Sequence, residues 1–448
     1  MIVSMVSLGC AKNLVDSERM LYLLRQKGYE LAVEPGDADI AIVNTCGFIQ
    51  AAKEEAIETI LELVELKIEG TLKHIIVTGC LAERYKEEAA ELFPEVDAVV
   101  GIGDEAEICA VLDRITAGER VVQFAPKCNM PLTGGRIIST LPFFAYLKVA
   151  EGCSNGCTYC AIPQIRGKFR SVPMDEVLKE ANWLAENGVT ELVVVAQDTT
   201  RYGEDLNDGV SLLPELLRNL CKIDGFHWIR VLYCYPERIS DELIDVIASE
   251  PKIVKYLDIP IQHCNGDVLK SMRREGDAES LRKLFAKLRD RIPDITLRTT
   301  LMTGFPTETE EAFTELAEFA QELKFERMGC FAYSEEENTP AAKMEPQIDE
   351  EIRQHRADIL MEQQMNLAAQ YNENRLGTVT EAVIEGYDKW GECWFGRTAA
   401  DAPDIDGKLF ITGTPKDGYQ IGQYVQVKIT DILDYDLMGE VISVEHGE

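Results

Sequence analysis

The chain has 448 residues, a length that predicts about three domains, with 46% hydrophobic and 27% charged residues, as in ordinary folded proteins. No stretch approaches the ~20 consecutive apolar residues of a membrane span, and the N-terminus lacks the basic start of a secretory signal, so we expect a cytoplasmic protein. The net charge of −33 weighs against RNA or DNA as the primary partner, because phosphates are bound mainly through Lys and Arg.

Residues 1–117 are predicted to form an α/β domain with a parallel sheet. Four apolar runs, each followed by a helical stretch, give the pattern of strands whose two faces are covered by helices. The runs are IVSMVSL, ADIAIVN, HIIVTG and DAVVGIG. Residues 118–141 are interrupted by Gly and Pro and are predicted to be a linker.

Residues 142–375 are predicted to form a full or partial α/β barrel with a trailing helix. Six apolar runs alternate with helical patterns, and active sites of such barrels lie at the C-terminal ends of the strands. The runs are FAYLKVA, ELVVVAQ, WIRVLY, YLDIPI, ITLRTTLM and MGCFAY. Residues 376–448 change to short, β-branched runs separated by Gly, which predicts a small all-β barrel.

Three cysteines lie close together directly after the first predicted strand of the central domain. EGCSNGCTYC contains Cys153, Cys157 and Cys160, with glycines that let the loop fold around a compact object. Thiolates are the usual ligands of iron–sulfur clusters, and three of them leave one iron of a 4Fe-4S cluster open. A structural zinc site normally has a fourth Cys or His at short spacing, and none follows. Zinc and unrelated thiols are the alternatives.

This CxxxCxxC motif, with Tyr159 before the third cysteine, resembles that of the radical S-adenosylmethionine enzymes. The resemblance implies that the open iron binds S-adenosylmethionine, whose reductive cleavage gives a 5′-deoxyadenosyl radical that abstracts hydrogen from an unactivated carbon. It also implies an electron donor, such as a flavodoxin or ferredoxin, because the cluster has a low potential.

A second set of cysteines is distributed over the first domain. Cys10, Cys46 and Cys80 each follow an apolar strand and precede a helix. The C-terminal ends of parallel strands share one edge, and helix N-termini favour thiolates, so the three side chains are predicted to converge on a second open cluster. Three buried core cysteines are the alternative.

The complete order of domains resembles the methylthiotransferases. The similar stretches are SLGCAKNLVDSE, AIVNTCGFI, VTGCLAERY, IPQIRGKFRS, PIQHCNGDVLKSMRR and TGFPTET. The resemblance implies that the N-terminal cluster carries the sulfur to be inserted and that the C-terminal barrel is a TRAM domain that helps to hold the substrate. It implies two uses of S-adenosylmethionine, one to methylate that sulfur and one to make the radical.

The charge of the last domain distinguishes two branches of the family. One branch modifies an adenosine in transfer RNA, and the other an aspartate β-carbon of a small-subunit ribosomal protein. Residues 376–448 contain 14 acidic and five basic residues, which favours a basic protein, or the assembled small subunit, over RNA. GRTAADAPDIDG and LPFFAYLKVAEGC also resemble the protein-modifying branch, which implies the twelfth small-subunit protein as target. A solvated acidic face without a partner is the alternative explanation of the charge.

Further candidates lie at strand ends of the central domain. Gln197 with Asp198, Gln262 with His263, and Gly304 are predicted, like Tyr159, to contact cofactor or substrate; ordinary loop hydrogen bonding is the alternative. Arg166, Lys168 and Arg170 are predicted to pair with a carboxylate of cofactor or substrate, or to form surface salt bridges. The rival functions are a transfer-RNA methylthiotransferase and a non-catalytic, zinc-holding module that binds ribosomes.

Overall fold

The computed structural model describes residues 1–413 and 418–444. Lys416, Asp417, Glu445 and Glu448, which contributed to the charge count of the last domain, lie outside these residues. None of the helices within the described chain is both long and apolar enough to span a membrane. The fold class is confirmed: a parallel-sheet α/β unit, an open barrel of parallel strands and a closed all-β barrel follow one another.

The first unit is a six-stranded parallel sheet in the order β2-β1-β3-β4-β5-β6. Every residue of β3 is buried, as expected for a strand with helices on both faces. Its elements are β1 (Ile2–Ser7), α1 (Ala11–Lys27), β2 (Glu30–Ala32), β3 (Ile40–Thr45), α2 (Gln50–Ile68), β4 (His74–Gly79), α3 (Cys80–Tyr85), α4 (Glu87–Leu92), β5 (Ala98–Val100), α5 (Ile108–Thr116) and β6 (Val121–Gln123).

Residues 118–141, the segment predicted as a linker, contribute a strand to this sheet and contact both neighbouring units. β6 pairs in parallel with β5, and Arg136 is buried between the first and second units. The Arg136 guanidinium is bound by Glu18 of α1 (Nε–Oε2 2.9 Å) and by Glu180 (Nη1–Oε1 2.7 Å). Gly and Pro break the helical period here, but ion pairs fix the chain in place.

The second unit is an open barrel in the strand order β14-β13-β12-β11-β10-β7. Its six strands correspond to the six predicted runs, and helices cover the outer face. The elements are β7 (Phe144–Lys148), β8 (Ala150–Glu151), α6 (Ile162–Arg166), β9 (Arg170–Ser171), α7 (Met174–Glu186), β10 (Glu191–Val195), α8 (Leu213–Cys221), β11 (Trp228–Val231), α9 (Asp241–Ser249), β12 (Ile253–Asp258), α10 (Gly266–Ser271), α11 (Ala278–Arg291), β13 (Thr296–Thr303), α12 (Glu310–Leu323) and β14 (Arg327–Ala332).

A long helix leads to the third unit, a closed five-stranded barrel in the order β15-β16-β17-β19-β18. The helix packs along β14, the edge strand of the open barrel. The elements are α13 (Glu350–Glu373), β15 (Val379–Asp388), β16 (Cys393–Thr398), β17 (Leu409–Thr412), β18 (Tyr424–Leu433) and β19 (Asp436–Val444).

The first and third units both pack against the inner face of the open barrel. Val15 of α1 and Val383 of β15 share one buried cluster with Tyr146, Val193 and Tyr256 from barrel strands. These barrel residues alternate along the strands with those that face the outer helices, so they point inward. The first unit therefore lies over the barrel interior.

Several acidic residues of the last barrel point inward, which corrects the charge argument. Glu381, Glu385, Asp401 and Asp406 bind His227, Arg397, Arg327 and the Tyr256 hydroxyl, respectively. Among the described residues, seven acidic side chains remain outside these pairs: Asp388, Glu392, Asp404, Asp431, Asp434, Asp436 and Glu440. The outward charge is still acidic, but it is smaller than the sequence count suggests.

Candidate functional site: two cysteine triads

Cys10, Cys46 and Cys80 meet at one edge of the first sheet. They follow the neighbouring strands β1, β3 and β4, so the parallel topology brings their positions together. The loops are closely packed, because a Cβ atom on Gly9 would lie 2.6 Å from the Cys46 Cβ and one on Gly47 would lie 2.7 Å from the Leu81 Cα. Glycine beside two of the cysteines is therefore a packing requirement.

Neighbouring cations act on the thiols of this first triad. Burial alone would raise the pKa of Cys10, but Lys12 and Arg166 bring its pKa below the usual value. Burial raises the pKa of Cys46 and takes that of Cys80 to about 12. Arg166 faces all three thiols, so the site combines buried sulfur with a fixed positive charge that stabilises anionic ligands.

Cys153, Cys157 and Cys160 lie in one loop between β8 and α6. The loop is closed by hydrogen bonds from the Cys153 amide to the Gly167 carbonyl and from the Cys160 amide to the Cys157 carbonyl, both 3.1 Å. Gly152 has a φ of +74° and touches the Lys168 carbonyl so closely that a Cβ would collide with it. The Tyr235 hydroxyl, from the loop after β11, lies 3.8 Å from the Cys157 Sγ.

Cys153 and Cys157 of the second triad are buried and Cys160 is partly buried, and the thiols of Cys153 and Cys160 favour the protonated form until something binds them. Burial raises the pKa of Cys153 to about 11 and that of Cys160 further. Coordination to a metal deprotonates a thiol outright. Within residues 1–413 and 418–444, no three His, Cys, Asp or Glu side chains stand close enough to share a single metal ion. A cube of four irons spaces its thiolate ligands more widely than one ion does.

Arg166 connects the two triads. It is 1% exposed, and its Nη1 lies 2.7 Å from Asp16 Oδ2 and 3.2 Å from Glu151 Oε2. Glu151 immediately precedes the second cysteine loop, and Lys148 binds both of these carboxylates. Cys80 also packs against Ile165, the residue before Arg166. One buried ionic network thus joins the helix after Cys10 to the loop that holds Cys153.

The predicted basic patch is therefore wrong for Arg166, whose partners belong to the chain itself. Lys168 is exposed, and Arg170 donates to the Cys128 carbonyl at 2.9 Å. This arrangement was not predictable from the sequence, because Asp16 and Glu151 are far apart along the chain and become neighbours only when the two units pack together.

The other predicted residues are distributed around the barrel rim. Tyr159 packs beside Phe305 and Met272, and Gln197 is half-buried after β10. Gln262 has a φ of +69° and is fixed by backbone pairing to β13. A Cβ on Gly304 would collide with Arg353 of α13, so helix packing accounts for this glycine.

Two of the neighbouring candidates are occupied by internal contacts. Asp198 Oδ2 accepts a hydrogen bond from Asn155 Nδ2 at 2.8 Å, and His263 lies 3.3 Å from Glu308.

Sequence reasoning missed Lys12, Tyr233 and the stacked pair of Arg274 and Tyr235. The Arg274 guanidinium lies 4.2 Å from the centroid of the Tyr235 ring, beside the second triad. Lys12 is two residues after Cys10 in the first turn of α1. That position could have marked it as a site residue, since it lies at the same strand-to-helix junction as the cysteine.

Three family models match the chain in the order of its three units. The model described as uncharacterized protein family UPF0004 covers residues 3–101, the radical SAM superfamily covers 147–320, and the TRAM domain covers 376–442. A structure of the radical S-adenosylmethionine methyltransferase TsrM from Kitasatospora setae, with cobalamin and a [4Fe-4S] cluster bound, matches with a TM-score of 0.57 at 14% identity. The match covers 76% of this chain and 73% of the TsrM chain. The fold and these matches define a radical S-adenosylmethionine enzyme, with a 4Fe-4S cluster and S-adenosylmethionine as cofactors.

Full-length relatives define the family further. The ribosomal protein uS12 methylthiotransferase RimO of Lachnoclostridium phytofermentans is 51% identical over 435 residues, which is 97% of this chain and 98% of the relative. The protein of the same name from Clostridioides difficile is 46% identical over 445 residues, 98% of both chains. The chain belongs to the family of ribosomal protein uS12 methylthiotransferases, and the resemblance found in the sequence is confirmed.

Proposed function

We propose that the chain inserts a methylthio group at the β-carbon of an aspartate in ribosomal protein uS12. The observation that carries the proposal is the joining of two cysteine triads by one buried network, with the first unit over the interior of the barrel. The names of the full-length relatives support uS12 as the target. The inserted group and the attacked carbon follow from the resemblance of the sequence.

In this proposal each triad holds a 4Fe-4S cluster through three thiolates. Cys153, Cys157 and Cys160 would hold the cluster that binds S-adenosylmethionine, and Cys10, Cys46 and Cys80 would hold the second. When bound, these groups supply the radical that removes a hydrogen atom and the sulfur that is transferred. Burial raises the pKa of Cys80 and Cys153, so these thiols would lose their protons on coordination to the metal rather than before it.

The chain's own residues position the two centres and exclude water. Arg166 would neutralise negative charge at the first triad while holding Asp16 and Glu151 in fixed places. The cluster of Cys80, Ala161 and Ile165 would close the space between the triads to solvent. Tyr159, Gln197, Gln262 and Gly304 stay proposals as contacts of the bound cofactor.

The substrate and the reductant would approach from the cytoplasm. Ribosomal proteins are basic, and the acidic side chains that remain on the outside of the last barrel favour a cationic partner over RNA. A small flavodoxin or ferredoxin would supply electrons to the Cys153 cluster. Within this proposal, uS12 is modified either as a free protein or in the assembled small subunit.

The test is an anaerobic reaction of the reconstituted enzyme with S-adenosylmethionine, a reductant and purified uS12. We expect uS12 to gain the mass of one methylthio group in place of one hydrogen, on a single aspartate, together with formation of 5′-deoxyadenosine. A uS12 variant with that aspartate replaced by alanine is the matched control and should stay unmodified. Modification of transfer RNA in a parallel reaction, with uS12 unchanged, would refute the proposal in favour of the RNA-modifying branch.

A further inference from the structure

Lys12 extends from the first unit onto the rim of the barrel. Its Nζ lies 3.5 Å from the centroid of the Tyr233 ring, and the residue is only 4% exposed. Tyr233 follows the C-terminal end of β11 and is held firmly, with its amide donating to Asp258 Oδ2 (3.2 Å) and its carbonyl accepting from Thr199 (3.0 Å). Its φ of +62° is rare for a non-glycine residue.

The ammonium group of Lys12 has an unusual environment. Among the side chains of residues 1–413 and 418–444, no Asp or Glu forms a salt bridge with it, although Lys is rarely buried without a partner. Asp16, one turn further along α1, is already bound by Lys148 and Arg166. Lys12 and Arg166 together lower the pKa of the Cys10 thiol, and the Lys12 ammonium group also contacts the Tyr233 ring.

Lys12 is linked to both triads through residues that are close to it or to its contact Tyr233 along the chain. It is two residues from Cys10 on one side. On the other side it covers Tyr233, and two residues further on Tyr235 places its hydroxyl 3.8 Å from the Cys157 Sγ. An anionic group bound by Lys12 would therefore lie at the junction of the two cysteine sites. A carboxylate bound there would keep the carbon atom next to it close to both sites.

We propose that Lys12 binds the side-chain carboxylate of the target aspartate and thereby selects aspartate over asparagine. This proposal rests on the proposed function, because it takes the substrate to be an aspartate residue. Lys12 would donate hydrogen bonds from its ammonium group to the carboxylate, with the Tyr233 ring fixing its direction. A neutral amide would lose the ionic part of this contact.

The test compares binding of uS12 carrying the target aspartate with uS12 carrying asparagine at that position. The reconstituted wild-type enzyme should bind the aspartate form at least about tenfold more tightly, since hydrogen bonds to charged groups are the stronger ones. Lys12→Met should bind both forms equally, and Lys12→Arg should recover most of the preference. Lys27→Met, an exposed position on the same helix, is the matched control and should keep the wild-type preference.

Iron content is measured first, and Lys12→Gln serves as a second variant. Retention of the aspartate preference in Lys12→Met, or absence of the preference in a wild-type enzyme that modifies uS12, would overturn the proposal. Loss of half of the iron in both Lys12→Met and Lys12→Gln would overturn it as well, because Lys12 would then belong to cluster binding. A wild-type enzyme that leaves uS12 unmodified would instead refute the proposed function.

Discussion

Arg166 and Asp16 form a buried ion pair between two units of the chain, with 2.7 Å from Nη1 to Oδ2. Asp16 lies on the helix that follows Cys10, and Arg166 ends the helix that follows Cys160. Both side chains are almost completely inaccessible to solvent. The pair holds together the two elements that carry Cys10 and Cys160.

Removing this pair should destabilise the contact between the units. Arg166→Met leaves Lys148 as the cation that binds Asp16 and Glu151. Removing one partner of a buried ion pair typically lowers the free energy of unfolding by about 3–5 kcal/mol. We expect a loss of this size in urea unfolding of the metal-free protein. The control is Lys168→Met, two residues away and exposed, which should change stability by less than about 0.5 kcal/mol. Identical unfolding curves for the two variants would contradict this role of Arg166.

Two glycines of the second cysteine loop make a matched pair. Gly152 and Gly156 both have positive φ, but only Gly152 has a neighbour, the Lys168 carbonyl, where a Cβ would be. Gly152→Ala should therefore distort the loop and lose the iron bound there. Gly156→Ala should retain that iron, at a cost in stability of about 1–2 kcal/mol for a left-handed alanine. Iron analysis after reconstitution checks this, and equal iron loss in both variants would mean that backbone strain, not the collision, is decisive.

Replacing a single cysteine should affect different steps of the reaction in the two triads. Cys157→Ala should abolish the cleavage of S-adenosylmethionine, measured as 5′-deoxyadenosine, and all modification of uS12 with it. Cys46→Ala should abolish transfer of the methylthio group while some cleavage persists, because Cys46 lies in the other unit. Cleavage that survives in Cys157→Ala would contradict the assignment of the second triad.

Glu105 should make the stability of the protein depend on pH. Its Oε1 is buried without a hydrogen-bond partner among the described residues, and burial raises its pKa well above the usual 4.5, with Asp16 adding to the shift. The folded state then holds this proton more tightly than the unfolded state, so the contribution of Glu105 to stability falls as pH rises above 4.5. Glu105→Gln removes this dependence.

We therefore expect Glu105→Gln to gain stability relative to the wild-type chain as pH rises. Urea unfolding midpoints of both metal-free proteins at pH 5 and pH 8 check the direction of the effect. The midpoint of Glu105→Gln minus that of the wild-type protein should be larger at pH 8 than at pH 5. If this midpoint difference is the same at both pH values, or smaller at pH 8, the pKa of Glu105 is not raised in the folded state.

The sequence predicted the strands and both cysteine triads because these features are local or repeat regularly. Apolar runs mark β3 and its neighbours, and a cysteine directly after each of three parallel strands needs only the topology to bring them together. Arg136 and Asp401 were not predictable in this way. Arg136 lies in a stretch rich in Gly and Pro, yet Glu18 and Glu180 bind it, and Asp401 belongs to an acidic segment but binds Arg327. Both depend on how the units pack.

The same limitation applied to the candidate site. The charge count of the last barrel treated every carboxylate as exposed, whereas Asp406 points to Tyr256 inside the open barrel. Lys12 was missed because its significance comes from Tyr233, a residue of another unit. Contacts between distant parts of the chain decide which polar residues are structural and which are free to bind a substrate.

The central claim is that both triads bind iron, and metal analysis of anaerobically reconstituted protein tests it most directly. We predict about eight irons per wild-type chain and about four in each of two triple variants, one with Cys10, Cys46 and Cys80 replaced by alanine and one with Cys153, Cys157 and Cys160 replaced. A wild-type chain that holds one zinc ion or no metal, or that keeps all its iron after loss of the first triad, would contradict it.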